Sequence, residues 1–416
     1  MNHAFRPYGR KGSPLLRGGL AGAVAGLLTL TASACSASDP ATSTPTSSAS
    51  APAAGGVVAK PGATPSLPAP TGPHRVGTTS LHLKDTSRPD PWAPEAKARE
   101  LMVTLWYPTR ARDGEPPPYM TPKESELVLK GRKVTGAPYD ILSKTRTNAV
   151  AGAEPAGTRR SLPLVVLSPG FTMPRSTLTS LAEELAGGGY VVAGVDHTYE
   201  NYATTFPDGR VAECAACDAD ADPGFGAKTA GVRAADVSFV LDELTGPRPT
   251  WAGASLIDPS KIAMAGQSIG GASAVAAMLK DSRVRAGIDM DGSTYARIPK
   301  GKLSRPFLFL GSEQAHSPGG RDNSWDRDWK LMTGWKRWLV VSGADHQSFT
   351  DVPVLAASLG IPLPGLAAGR SVEITRAYVR AFLDLHLLGK PQPLLDKPST
   401  HHPEVRRCVP ENRTCA

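Results

Sequence analysis

Along its apolar positions the chain changes character near residue 163. Before that point Val76 to Lys84 and Leu101 to Pro108 are extended segments, and Leu101, Val103, Leu105 and Tyr107 recur at every second position, as a half-buried strand requires. From Pro163 onward, short apolar runs alternate with stretches of helical spacing. Leu164 to Leu167, Tyr190 to Val195, Ile262 to Ala265, Val284 to Met290, Pro306 to Leu310 and Trp338 to Val341 read as strands, the shortest apolar enough to be covered on both faces. Leu178, Leu181 and Leu185 share one helix face, which Gly187-Gly188-Gly189 ends. Val232, Ala235 and Phe239 mark a second helix. Ile374, Tyr378, Phe382, Leu385 and Leu388 mark a last one, stopped by Gly389. Gly270 to Met278 predicts a helix whose small first residues allow close approach to a sheet. Strands alternating with helices predict an α/β fold, a mostly parallel central sheet with helices on both faces.

The N-terminus departs from this pattern. Arg6, Arg10, Lys11 and Arg17 form a basic leader, Gly18 to Thr31 is an apolar run too short for an ordinary spanning helix, and Ala32-Ser33-Ala34 offers small residues for cleavage. Residues 1–34 are therefore expected to be a signal peptide. Cys35 follows directly, which resembles the lipobox of bacterial lipoproteins and makes it a candidate for lipidation, with Ala32 standing where a Leu is usual. Plain cleavage and full secretion is the alternative. Residues 35–71, rich in Ser, Thr, Ala and Pro, bury too little apolar surface to offset their ordering entropy and are expected to be a tether. That leaves 72–392 as the folded domain and 393–416 as a tail.

Charge and cysteine content narrow the classes. The formal net charge of +8 includes four basic leader residues, so the mature chain carries +4. No basic run interleaved with aromatics is present, which argues against nucleic-acid binding. Beyond Cys35, the four cysteines of an exported chain suggest two disulfides, most simply Cys214 with Cys217 and Cys408 with Cys415, with long-range pairing as the alternative. A zinc site is disfavoured, because His401 and His402 precede Cys408 without ligand-like spacing.

Gly266-Gln267-Ser268-Ile269-Gly270 carries the chemistry. GxSxG alone is a moderate signal, but between an apolar strand and a helix it is the setting of the nucleophile elbow of α/β-hydrolases. Ser268 is the candidate nucleophile. Its hydroxyl is too weak an acid to attack an ester unaided, so a histidine must take the proton. The superfamily order of Ser, acid, His leaves His316, His346, His386, His401 and His402. His346, in the loop after the Trp338 strand, is the first choice and His316 its rival. For the acid, Asp291 and Glu313 both stand at strand ends, and topology favours Glu313 because the acid usually follows the later strand. Asp289, inside its strand, reads as structural. Asp196-His197 reads as a pair holding a loop by hydrogen bonds. The apolar residues from Val352 to Leu366 could line an acyl pocket, face lipid or simply pack.

Gly72-Pro73-His74-Arg75-Val76-Gly77, Trp106-Tyr107-Pro108, Leu167-Ser168-Pro169-Gly170, the elbow, Met290-Asp291 and Asp345-His346-Gln347-Ser348-Phe349 stand in an order that resembles the plasma-type platelet-activating factor acetylhydrolases and related bacterial lipases, over roughly residues 72 to 390. The resemblance implies an α/β-hydrolase fold and a triad of Ser268, Asp291 and His346, with Glu313 demoted to alternative acid. Where that family usually has Ser-His-Gly this chain has Ser168-Pro169-Gly170, but an oxyanion hole uses backbone N–H groups, which Phe171 and Ile269 can supply. The implied activity is that of an exported serine ester hydrolase on short-chain acyl or lipid esters, through an acyl-enzyme and with no metal or organic cofactor. The expected partners are a small-molecule or lipid ester and, through Cys35, the outer face of a bacterial membrane. A cutinase-like lipase or polyester hydrolase is the alternative within enzymes, and a non-catalytic binding lipoprotein the alternative outside them.

Overall fold

The computed structural model describes residues 57–60 and 62–416. The leader and Cys35 lie outside the described residues. Eleven strands form one sheet: β1 (Arg75–Asp85), β2 (Arg99–Thr109), β3 (Val150–Ala151), β4 (Leu162–Ser168), β5 (Val191–Asp196), β6 (Ile257–Gln267), β7 (Val284–Met290), β8 (Phe307–Ser312), β9 (Lys336–Val341), β10 (Val405–Val409) and β11 (Thr414–Cys415). Across the sheet the order is β11, β10, β9, β8, β7, β6, β4, β5, β2, β1, β3. The six strands from β4 to β9 run parallel, as the apolar runs predict, and antiparallel pairs flank them on both sides.

Among the described residues, eight α-helices accompany the sheet: α1 (Pro122–Gly131), α2 (Thr179–Gly187), α3 (Phe225–Thr245), α4 (Ile269–Lys280), α5 (Glu313–His316), α6 (Ser324–Trp329), α7 (Val352–Ser358) and α8 (Ala368–Leu388). Successive residues of the central strands feed opposite sides. Leu164, Val166 and Met264 join the core under α3 and α4, whereas Val165, Leu167 and Ala265 join the one under α2 and α8. This double burial is why those strands read as continuous apolar runs rather than alternating ones. The chain has the α/β-hydrolase architecture.

Four expectations need correction. The buried face of α3 is not Val232, Ala235 and Phe239, which are half-buried, but Ala230, Arg233, Ala234, Asp236, Val237, Val240 and Leu241. On α8, Leu385 and Leu388 are likewise half-buried, and Val379, Leu383 and Leu387 take their place in the core. The stretch assigned to a tether ends earlier than residue 71: Val57–Val58 pairs with Val134–Thr135, Ala59 and Leu67 are buried in a third core with Tyr119, Met120, Leu355 and Leu359, and Thr71 bonds Glu184. Residues 393–416 are no separate tail, because β10 extends the main sheet beside β9. The same third core decides the role of the Val352 to Leu366 stretch in favour of packing for Leu355 and Leu359, while Leu363 is exposed.

Candidate active site

At the end of β6 the chain must turn sharply into α4. Ser268 makes that turn with φ 57° and ψ −128°, a left-handed backbone that costs a serine energy and is kept only where surroundings dictate it. Both flanking glycines are sterically required. A Cβ on Gly266 would lie 2.2 Å from the Gly270 carbonyl carbon, and one on Gly270 would lie 2.0 Å from the Ser168 carbonyl oxygen. Ser268 donates its N–H to Met290 O at 2.8 Å, which pins the elbow to the neighbouring strand. Ile269 opens α4, so its N–H has no acceptor within the helix.

Met290 ends β7, and the next residue is Asp291, itself at φ 59°. Its Oδ2 lies 2.6 Å from His346 Nδ1, and its Oδ1 accepts from Ser312 N at 2.6 Å and Ser312 Oγ at 2.8 Å. Burial pushes this carboxyl up, but the bond from His346, the nearby His316 and Ser312 outweigh it and hold the pKa at about 2. Asp291 is therefore a carboxylate that orients His346 through Nδ1 and leaves Nε2 for other work. The imidazole is half exposed. Gln267, beside Ser268, donates its side-chain amide to His346 O at 2.8 Å, tying the elbow to the histidine loop. Asp345 stiffens that loop by accepting from Gln347 N and Ser348 Oγ.

The remaining candidates fall elsewhere. Glu313, which topology favoured as the acid, pairs with Arg406 of β10, and it is Asp291 that meets His346. His316 is buried, stacks on Trp325 at 4.0 Å and stands 3.7 Å from Asp291 Oδ1, beside the acid rather than in place of His346. Asp289 accepts from Gly292 N at 2.9 Å, and burial holds its carboxyl well above the usual range. His386 packs between Trp335 and Phe382.

The loop after β4 comes up against the elbow. A Cβ on Gly170 would meet Gln267 Oε1 at 2.4 Å and Ser268 Cβ at 3.5 Å, so Gly170 lies against Ser268. Phe171 packs edge-on against Phe225 at 4.9 Å.

Comparison with known proteins agrees with this geometry. The model of the family described as platelet-activating factor acetylhydrolase, isoform II, matches residues 62–214 and 254–363. The chain belongs to that family. It is 27% identical over 375 residues to a protein of Arthroderma benhamiae named probable 1-alkyl-2-acetylglycerophosphocholine esterase, covering 82% of this chain and 92% of the relative. It is 25% identical to the platelet-activating factor acetylhydrolase of Canis lupus familiaris, over 77% of each chain. Among solved structures, a ferulic acid esterase from Streptomyces cinnamoneus aligns with TM-score 0.74 and 45% identity, over 83% of this chain and all of the other. A member of this family hydrolyses esters, and the likeness to an esterase structure carries the same class.

Cysteines and cavities add little chemistry to the site. Cys214 is bonded to Cys217 and Cys408 to Cys415, the local pairing, so these thiols are not free to bind zinc. Glu373, His401 and His402 bring donor atoms within 4.8 Å of one another, but Arg370 is bonded to the same Glu373 carboxylate at 2.9 Å. A cavity of about 470 Å³ opens over β1 and β2, lined by Thr78, Trp106, Tyr119, Arg175 and Asp196 among others. Neither Ser268, Asp291 nor His346 lines it.

The sequence reading missed a buried polar network beneath the Ser168 loop. Arg99, Glu200, Arg233 and Asp236 are all fully buried and bonded to one another or to His197. One signal was available: Arg233 and Asp236 sit three apart, in step with Ala230 and Val237 on the buried face of α3. Asp196 and His197 hold loops by hydrogen bonds, as expected, but through separate partners, Asp196 bonding Arg175 and His197 bonding Ser168 and Asp236.

Proposed function

We propose that the chain is an exported serine ester hydrolase that cleaves short-chain acyl or lipid esters through an acyl-enzyme. The observation that carries this reading is Ser268 on a strained elbow, joined through Gln267 to a histidine already oriented by a buried carboxylate. His346 Nε2 takes the Ser268 proton as Oγ attacks the ester carbonyl, and Asp291 stabilises the imidazolium. The N–H groups of Phe171 and Ile269 receive the oxyanion, whose negative charge the N-terminus of α4 also favours. The imidazolium then gives its proton to the departing alkoxide, leaving an acyl-serine. Water, deprotonated by His346, releases the acid and restores the serine.

A second reading of the acyl group is favoured by the side chains beside the loop. Phe171 meets Phe225, Phe225 meets Trp92 at 5.6 Å, and Tyr295 is exposed against Gly226. That aromatic rim suits a flat aryl acyl group, in keeping with the name of the 45% identical structure.

Labelling with a fluorophosphonate followed by peptide mapping tests the nucleophile. The label is expected on Ser268 and absent from Ser268→Ala. A folded wild type labelled elsewhere, or no more active than Ser268→Ala, would overturn the mechanism. Rates on p-nitrophenyl acetate, p-nitrophenyl palmitate, a polyester film and methyl ferulate separate the acyl classes. Export and anchoring are read from the mature N-terminus by mass spectrometry: diacylated Cys35 is the lipoprotein outcome, and an unmodified start is the secreted one.

A further inference from the structure

Behind the nucleophile lies a second Ser, His, Asp set that takes no part in the mechanism above. Ser168, the last residue of β4, has its Oγ 2.9 Å from His197 Nε2, and His197 Nδ1 is 2.8 Å from Asp236 Oδ2. All three are buried, so Ser168 faces no substrate and this set performs no acylation.

The hydrogens of the chain are assigned by its ends. Asp236 accepts from Arg99 Nη2 at 2.8 Å, Arg99 Nε at 3.2 Å and Arg88 Nη2 at 2.6 Å. Burial disfavours its charge, but Arg99 and His197 more than compensate and keep it a carboxylate. Burial, and then Arg233, keep His197 neutral. A neutral imidazole facing a carboxylate holds its proton on Nδ1, so Nε2 is an acceptor. Ser168 must then donate its hydroxyl to His197, which leaves its oxygen free to accept from Arg233 Nη1 at 3.1 Å.

That same Arg233 Nη1 donates to Pro169 O, and Arg233 Nε donates to Glu200 Oε2 at 2.7 Å. Glu200 O in turn accepts from Thr172 N at 2.9 Å, and Thr172 O accepts from Tyr202 N at 2.9 Å. The four residues from Pro169 to Thr172 are thus held at both ends by the His197 to Tyr202 segment and α3. Their own bonds are few: Pro169 has no N–H to give, and Gly170 O accepts from Met173 N at 3.3 Å. Thr172 sits at φ 67°, a left-handed backbone that a β-branched residue adopts only under constraint. Phe171 lies between the two anchors, and Gly170 lies against Ser268.

We propose that Ser168, His197 and Arg233 are positioning residues that set the Phe171 N–H toward Ser268, so that the oxyanion donor is held in place before substrate arrives. The proposal rests on the reading of Phe171 as that donor. A backbone N–H that drifts by a fraction of an ångström still permits substrate binding but stabilises the tetrahedral intermediate less, so the loss falls on kcat.

Ser168→Ala removes one hydroxyl and leaves Arg233 on Pro169 O. With active sites titrated by fluorophosphonate, kcat on p-nitrophenyl acetate is expected to fall about 10- to 100-fold with KM within about twofold. The Ki of phenylboronic acid, which becomes a tetrahedral anion on the nucleophile, should rise by a similar factor. His197→Ala should lose as much or more, and His197→Gln, whose amide can accept from Ser168, should recover part of it. A folded Ser168→Ala with wild-type kcat and boronate Ki overturns the proposal, as does a deficit confined to the titrated fraction of active enzyme. If the wild type itself fails to label at Ser268, it is the underlying mechanism that has failed. The two failures are therefore distinguishable.

Discussion

Asp291 and Glu313 differ by one strand in the sheet and by everything in their surroundings. Asp291 is buried, accepts two bonds from Ser312 and faces His346, whereas Glu313 is half exposed beside Arg406. A side chain that must hold one tautomer of an imidazole needs such a fixed geometry. Asp291→Asn should lower kcat on p-nitrophenyl acetate by about 10³- to 10⁴-fold, because the amide keeps the shape but favours the wrong tautomer. Glu313→Gln should leave it within about twofold. Steady-state rates of the two purified variants decide the matter, and the reverse ranking would restore Glu313 as the acid. At this scale the candidate nucleophile and base were legible, since a strand, a helix and chain order bracket them. The acid was legible only through the family resemblance, which implied Asp291, because two carboxylates at successive strand ends look alike until the loop of His346 has chosen between them.

Among the elements, α3 and the segment from residue 57 show where pattern reading stops. Helical spacing located α3 but mistook its buried face, because that face carries Arg233 and Asp236, which a search for apolar stripes discards. Charged residues tolerate such burial only when bonded on every side, a condition set by Arg99, Glu200 and His197 from other parts of the chain. Residues 57–71 fail for the opposite reason. Their composition cannot form a core alone, yet Ala59 and Leu67 find one beneath α1 and α7, and Arg376 donates to Pro68 O and Ala69 O at 2.9 Å each. A chain beginning at residue 72 should therefore be less stable than one beginning at 57 by roughly 3 kcal/mol, the burial of a leucine plus bonds left unmade by Arg376 and Glu184. Urea unfolding of the two chains measures the difference, and equal midpoints would return these residues to the tether.

Over the whole molecule, Asp351 joins three distant parts. It precedes α7, accepts from Ser180 of α2 and from Tyr119 before α1, and donates its own N–H to Thr177 O. Burial raises its carboxyl to about 7, although the Ser180 bonds oppose the shift. An acid with a raised folded pKa contributes stability fully present below its unfolded value near 4, and that stability is lost as pH rises through about 7. The stability advantage of wild type over Asp351→Asn should accordingly shrink between pH 4.5 and 7.5, by up to roughly 1 kcal/mol per pH unit. Urea midpoints across that range test it, and a pH-independent difference would show that Asp351 is not protonated in the native state.

From the sequence alone came the alternation of parallel strands and helices, the elbow at Ser268 and the choice of His346 as candidate base, because each is written in residues adjacent along the chain and governed by local sterics and periodicity. Tertiary structure alone decided which face of α3 turns inward and that residues 57–60, 62–71 and 393–416 belong to the folded body, and it set against His346 the carboxylate, Asp291, that the family resemblance implied. Those outcomes depend on partners more than 30 residues away, such as Asp291 to His346 at a separation of 55 and Arg99 to Asp236 at 137. The partner of a long-range buried charge or hydrogen bond has no signature in its own neighbourhood. The contact exists only once the sheet has brought both partners together.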